Sequence, residues 1–240
     1  MPKNPPMPRD LTMEIYHYID KFVSDHGWQR SLSTPFVVGQ YSQILEHMLV
    51  HYGLEPEGGM TIAGSIRKLV KNRRIAELGC REGGFLKFLE MHGAIIAGST
   101  GEHYIERTRK FLGEKTPLAI AQMENAGESE VLRQFRPDII FSYHFFHPNR
   151  WKKLPLNQQE RYPANVFFRA VSQIATPGTQ VFVYPSGGSN AHSWSHNLTE
   201  EGLKKNGITE FEWRNRRIRG MDDTVRIEWG KAKMAEGHEK

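Results

Sequence analysis

The sequence predicts an α/β fold, a mostly parallel sheet with helices packed on both faces. Two observations predict it. The stretch Ile75-Ala-Glu-Leu-Gly-Cys-Arg-Glu-Gly-Gly-Phe-Leu-Lys-Phe-Leu, ending at Leu89, reads as a buried strand, a glycine turn and an amphipathic helix. After it, short apolar runs alternate with helical spacings as far as Trp229. Strands separated by helices form crossover units, and crossover units build parallel sheets.

The elements follow in order. The first ten residues are proline-rich and read as a loose tail. Asp10 can cap a helix that places Ile15, Ile19, Phe22 and Val23 on one face. Tyr41, Ile44, Leu45, Met48, Leu49 and Tyr52 trace a second helical face, ended by Gly53 and the Glu55-Pro-Glu-Gly-Gly run. Ile62, Ile66, Leu69 and Val70 mark a third, shorter helix. Residues 11–72 therefore form a helical preface, and residues 73–233 the sheet domain, with 234–240 as a second loose tail.

Within the sheet domain, 94–98 is a short apolar strand, followed by a helix from Glu102 to Leu112. The next strand candidate runs from Leu118 to Met123, and a helix follows around Glu128 to Phe135. Asp138-Ile-Ile-Phe-Ser142 is a buried strand. Ala164 to Ala175 has helical spacing, and Pro177-Gly178 turns the chain into the strand Thr179 to Tyr184. Thr199 can cap a helix from Glu200 to Lys205, stopped by Asn206-Gly207. Thr209 to Trp213 and Val225 to Trp229 alternate as half-exposed strands.

Bulk properties bound the function. Of the 240 residues, 38% are hydrophobic and 25% charged, enough apolar mass for a packed core and too little charge for global disorder. The formal net charge of +5 tolerates a nucleic-acid partner without requiring one. The basic residues cluster at Arg67, Lys68, Lys71, Arg73 and Arg74, and again at Arg214, Arg216, Arg217 and Arg219. Cys80 is the single cysteine, so an internal disulfide and a cysteine-based zinc site are both excluded. The N-terminal stretch has no apolar signal core, and no window approaches membrane-spanning length. A cytoplasmic protein with no membrane association is expected.

A glycine turn between strand and helix lets a ligand touch bare backbone, and the helix N-terminus offers N–H groups to a negative group. Glu77-x-Gly79-x-Arg81-x-Gly83 resembles motif I of the class I S-adenosylmethionine-dependent methyltransferases, acidic-x-Gly-x-Gly-x-Gly, with Arg81 at the middle glycine. The resemblance covers about Arg73 to Lys231. Gly93 to Gly98 with Ile105-Glu106-Arg107 is similar to the family's first βαβ unit. Pro137 to Ser142, followed by Phe145-Phe-His147, is similar to its fourth strand, and Ile174-Ala-Thr-Pro-Gly-Thr179 to the turn before its fifth. A dinucleotide-binding Rossmann domain needs Gly-x-Gly-x-x-Gly, which Gly79 and Gly83 do not supply.

The resemblance implies a Rossmann-like sheet of seven strands, order 3-2-1-4-5-7-6 with the last strand antiparallel, behind an N-terminal helical extension or lid. It implies S-adenosyl-L-methionine as cofactor, held by Glu77, Gly79, Cys80, Arg81, Gly83, Ser99, Thr100, Glu102, Glu124, Asn125 and Ser142. Arg81 or the turn amides would meet the methionine carboxylate. Family members usually end strand 2 with an acid for the ribose hydroxyls, and here Thr100 stands at that position, with Glu102 as a substitute if the loop turns back. Glu124 and Asn125 match the adenine contact.

Methyl transfer from a sulfonium needs a positioned acceptor and, for an O–H acceptor, a base. His144, His147 and Tyr143 follow strand 4 and are the catalytic candidates; His192 and His196 follow strand 5. No metal site is expected, since Ser142-Tyr-His-Phe-Phe-His carries no carboxylate. The Asp/Asn-Pro-Pro-Tyr/Phe motif of amino-methylating nucleic-acid enzymes is absent, and so is the Lys-Asp-Lys-Glu set of ribose methyltransferases. The expectation is O- or N-methylation of a small-molecule acceptor, with a homodimer through the N-terminal helices as one arrangement. Two alternatives stay open: an RNA or protein methyltransferase using the basic clusters, and a methyltransferase-like protein with weak or no catalysis.

Overall fold

The computed structural model describes residues 10–28, 35–121, 123–143, 162–184, 211–214 and 224–229. Three helices lead: α1 (Leu11–Asp25), α2 (Pro35–His51) and α3 (Ile62–Val70). Then come β1 (Arg74–Leu78), α4 (Gly84–Met91), β2 (Ile95–Thr100), a 3₁₀ turn (Glu102–Tyr104), α5 (Ile105–Leu112), β3 (Leu118–Ile120), a second 3₁₀ turn (Met123–Glu128), α6 (Glu130–Phe135) and β4 (Ile139–Tyr143). The remaining elements are α7 (Tyr162–Ile174), β5 (Gln180–Tyr184), β6 (Phe211–Arg214) and β7 (Thr224–Glu228). The anticipated helix from Glu200 to Lys205 lies outside the described residues.

The seven strands form one sheet in the order β3-β2-β1-β4-β5-β7-β6. β1 to β5 pair in parallel, while β7 pairs antiparallel with both β5 and β6. This is the order and polarity the sequence reading expects. Strand order reverses between β1 and β4, so the crevice for a ligand opens at their carboxyl ends.

Period-two alternation splits the core into two layers. Ile75, Ile96, Ile139, Phe141, Phe182 and Tyr184 face the layer built with α1 to α4. Ala76, Leu78, Ala97, Ile140, Val181 and Val183 face the layer of α6 and α7, filled by Leu132, Phe135, Phe167 and Val171. Alternation places Glu77 on the first face, among Ile75 and the apolar residues of α2 and α4.

The N-terminal helices are built into that first layer. Asp10 caps α1 by accepting from the Met13 N–H, as its position before the apolar stripe implies. Ile15 and Ile19 are fully buried in the same cluster as Leu69, Phe85 and Phe88. At the α1–α4 contact, Tyr18 lies 2.7 Å from Nε2 of His92, whose Nδ1 lies 2.7 Å from the Phe88 carbonyl. A carbonyl only accepts, so Nδ1 donates and Nε2 accepts from Tyr18. Burial lowers the His92 pKa and keeps this neutral tautomer.

Two departures from the sequence reading are local. The helix expected from Glu102 begins as a 3₁₀ turn and becomes α-helical at Ile105. The strand expected from Leu118 to Met123 stops at Ile120, and Met123 enters the second 3₁₀ turn. β3 is an edge strand, and apolar character alone does not extend a strand past its partner.

Candidate functional site

The glycine turn sits at the carboxyl end of β1, and hydrogen bonds to β2 set its path. The N–H groups of Gly79 and Cys80 both donate to the Ser99 carbonyl, at 3.1 and 2.8 Å, and Gly79 N–H also reaches the Ser99 hydroxyl at 3.0 Å. Gly79, Arg81 and Gly83 all have positive φ, +84°, +49° and +80°. The middle position of the motif therefore takes the left-handed conformation although it carries an arginine, at a cost of about 1–2 kcal/mol. Two hydroxyls hold it there: Thr100 on β2 and Thr108 on α5 both donate to the Arg81 carbonyl.

These contacts give several of the expected site residues a structural role. Cys80, Ser99 and Thr100, expected to touch the cofactor, hold the turn in place. The Cys80 thiol is buried, and burial, with the charge of Glu77 as a second cause, pushes its pKa well up. Its sulfur lies where a Cβ on Gly98 would fall, 2.9 Å away, so Gly98 exists to let Cys80 and Leu86 pack on β2. Thr100 is 1% exposed and donates its hydroxyl proton at 2.8 Å to the Arg81 carbonyl. Gly83 is also needed for packing: a Cβ there would lie 2.6 Å from Cδ1 of Leu112 on α5. Ser142 donates at 3.1 Å to the Leu78 carbonyl, joining β4 to β1 where the crevice begins.

Glu77 is a buried ionisable group of the site. It is fully buried, and Oε1 accepts a 2.7 Å hydrogen bond from the Tyr41 hydroxyl of α2. Oε2 has no protein hydrogen-bond partner. Burial raises the carboxyl pKa to about 8, against the opposing effects of the Tyr41 hydrogen bond and the Arg81 charge. The Tyr41 ring stacks on Phe85 at 3.8 Å between centroids and 15° between planes. α2 thus covers the acid and the first turn of α4. No side chain caps α4, whose N-cap is Gly83, so its first-turn N–H groups have no local side-chain acceptor.

The rim is polar. Arg81, Glu102 and Asn125 are exposed, and Glu82 lies 3.3 Å from Arg107 on α5. Glu124 lies in the second 3₁₀ turn, and Tyr143 ends β4 opposite Tyr184. His144, His147, His192 and His196 lie outside the described residues. Sequence reasoning missed Tyr41 and Thr108 as site residues. Tyr41 read as one more apolar position of a helical face, and its hydroxyl was the available signal.

Comparison with known proteins places this geometry. No protein-family model matches the chain, and no curated protein matches it. Solved structures do match. A proposed RNA methyltransferase from Pyrococcus horikoshii superposes with a TM-score of 0.50 at 12% identity, over 92% of this chain and 98% of that one. The chain has the class I methyltransferase fold. N-methyltransferase NodS from Bradyrhizobium japonicum WM9 matches at 13% identity and TM-score 0.48, over 82% of this chain and 98% of its own. The magnesium protoporphyrin IX methyltransferase of Synechocystis PCC 6803, solved with bound S-adenosylmethionine, matches at 13% identity and TM-score 0.43, over 93% of this chain and 100% of its own. In the methyltransferase fold of this chain, the Gly79–Gly83 turn and Glu77 lie at the β1 end of the switch-point crevice. Among the described residues, no helix is long and apolar enough to cross a membrane.

Proposed function

We propose that this chain is an S-adenosylmethionine-dependent methyltransferase that modifies an oxygen or nitrogen of a small-molecule acceptor. The observation that carries the reading is the left-handed Gly79–Gly83 turn beside the buried carboxyl of Glu77, at the carboxyl end of β1. The residues fit the cofactor's methionine end. The second oxygen of Glu77 would take the ammonium group, and Arg81 or the open first turn of α4 the carboxylate. With Thr100 holding the turn, exposed Glu102 is the acid left for the ribose, and Asn125 the polar group left for adenine.

Bound S-adenosylmethionine supplies a methyl group already activated by the sulfonium charge. The chain's task is then to orient the acceptor, exclude water and accept a proton. α2 and its Tyr41 close the site from one side. His144, His147 and Tyr143, which follow or end β4, are proposed for the proton.

The placement of the first basic cluster supports a small acceptor over a nucleic acid. Arg73 and Arg74 lie at the amino end of β1, with their guanidinium groups over the rings of Tyr52 and Phe135. That is the end of the sheet opposite the crevice. Incubation with S-adenosylmethionine labelled on its methyl group tests the reading. Label should pass to small molecules of a cell extract and leave RNA and protein unlabelled.

A second reading, a methyltransferase-like protein with weak or no catalysis, rests on Thr100. A neutral, engaged hydroxyl replaces the acid usual at the ribose position. Cofactor titration separates the two: affinity too weak to saturate at millimolar S-adenosylmethionine supports the second.

A further inference from the structure

α2 carries a buried polar stripe that the cofactor reading does not use. Every position from Val37 to Leu49 is buried. One face, with Tyr41, Ile44, Leu45 and Met48, belongs to the apolar core. The flank toward α1 carries Glu46, which accepts from the Thr12 hydroxyl. Gln40, Gln43 and His47 recur at i, i+3 and i+7 and so share a third stripe. Gln40 is 0% and Gln43 5% exposed, yet neither nitrogen nor oxygen of either amide finds a protein hydrogen-bond partner. Native proteins rarely leave such groups unmet, because each costs the desolvation of a strong donor or acceptor. Four such atoms on one stripe are the chemistry of a polar-ligand subsite.

The stripe lies where an acceptor would sit. α2 descends across the sheet from the carboxyl edge to the amino edge. Tyr41 reaches Glu77 at the upper end, and Tyr52, just past the helix, lines a cavity with Arg73, Asp138 and Thr179 at the lower end. Gln40 and Gln43 are therefore in the upper half. The stripe turns toward β5, since the His47 ring packs on Phe182 at 5.4 Å. The glycine turn is bonded to β2 on the other side of β1. A cofactor over β1 and β2 leaves the β4–β5 half of the crevice to the acceptor.

Building on the proposed methyltransferase activity, we infer that Gln40 and Gln43 form the recognition subsite for an uncharged acceptor that carries neighbouring hydrogen-bond donors and acceptors, a lactam or amide-bearing nitrogen heterocycle. Each carboxamide offers both a donor and an acceptor. At i, i+3 spacing the two can grip two polar edges of one ring system. Glu46 is the single Asp, Glu, Lys or Arg of α2 and is engaged by the Thr12 hydroxyl of α1, so an ion on the glutamine stripe would be desolvated without a free countercharge.

The test uses the full chain loaded with S-adenosylhomocysteine and ligand-observed NMR. The probes are nicotinamide and 2-pyridone, with nicotinate and 3-(aminomethyl)pyridine as charged counterparts. The neutral pair should give saturation transfer and the charged pair none. Gln40→Met and Gln43→Met should each weaken neutral-probe binding about tenfold or more. Both should leave S-adenosylhomocysteine affinity unchanged and raise the melting temperature of the unliganded protein, because an unmet amide is removed. Equal binding of the charged probes overturns the inference. So does a lowered melting temperature with probe binding unchanged, which marks the amides as structural. A chain that fails to bind S-adenosylhomocysteine, yet shows glutamine-dependent binding of the neutral probes, overturns the cofactor reading and keeps the subsite.

Discussion

The Tyr41 hydroxyl donates a 2.7 Å hydrogen bond to Oε1 of Glu77, and this bond joins the second N-terminal helix to the glycine turn. It places a half-satisfied, fully buried carboxyl under a helix at the edge of the crevice. Removing the hydroxyl in Tyr41→Phe keeps the stack on Phe85 but leaves both carboxyl oxygens without a donor. The expected loss is about 1–3 kcal/mol of stability, with weaker cofactor binding. Chemical denaturation with a parallel titration checks it; unchanged values in both would mean the bond contributes nothing.

Glu77 should make stability depend on pH in an unusual direction. Burial raises its folded pKa to about 8 from the ordinary 4.5. Its contribution is thus fully present below pH 4.5. As pH rises from there toward 8, the unfolded chain releases a proton that the folded chain keeps, and stability falls. Glu77→Gln removes this slope. Melting curves from pH 5 to 8 should show the variant gaining on the parent as pH rises, and a gain that shrinks with pH would contradict the assignment.

Thr100→Asp should weaken cofactor binding about tenfold, because Asp cannot donate to the Arg81 carbonyl and places a buried charge beside it. This reverses the expectation from motif position alone, in which an acid at residue 100 restores a family contact. Thr100→Ser keeps the donor and should bind nearly as the parent does. Calorimetric affinities of the pair decide between the two roles.

Thr100 also shows where the sequence was and was not legible. The glycine turn and the alternation of strands and helices rest on local periodicity and turn residues, which residues 74–100 carry openly, and the strand order followed from the family resemblance. The role of Thr100 depends on Arg81 taking φ +49°, and on Thr108 arriving from α5 to share the same carbonyl. The Tyr41–Glu77 bond spans 36 positions. Neither leaves a periodic trace, since both arise from how packed elements meet. Gln40 and Gln43 were hidden for a related reason: polar residues in a helix read as its solvent face, and only three-dimensional packing reveals them as buried.

Gly83→Ala should cost about 2–4 kcal/mol, from left-handed strain and from a Cβ set 2.6 Å from Leu112. Leu112→Ala opens that space. The double variant should be at least about 1 kcal/mol more stable than the sum of the single effects. Strict additivity would remove the Leu112 contact as the cause.

Deleting residues 1–34 should unfold the domain, since α1 contributes the fully buried Ile15 and Ile19 to the same layer as Phe85 and Phe88. Circular dichroism of the truncated chain checks this. A soluble, cooperatively melting product would instead make α1 a detachable cover, as the lid expectation requires.

The account stands most directly on whether the Glu77 carboxyl and the glycine turn hold the methionine end of S-adenosylmethionine. Calorimetric titration of the full chain at pH 7, in two buffers of different ionisation enthalpy, measures this. The expected result is one molecule bound per chain with net proton release, as Glu77 ionises against the ligand's ammonium group, and loss of that release with weaker binding in Glu77→Gln. No binding, or binding of equal strength and equal proton release in the parent and the variant, would contradict it.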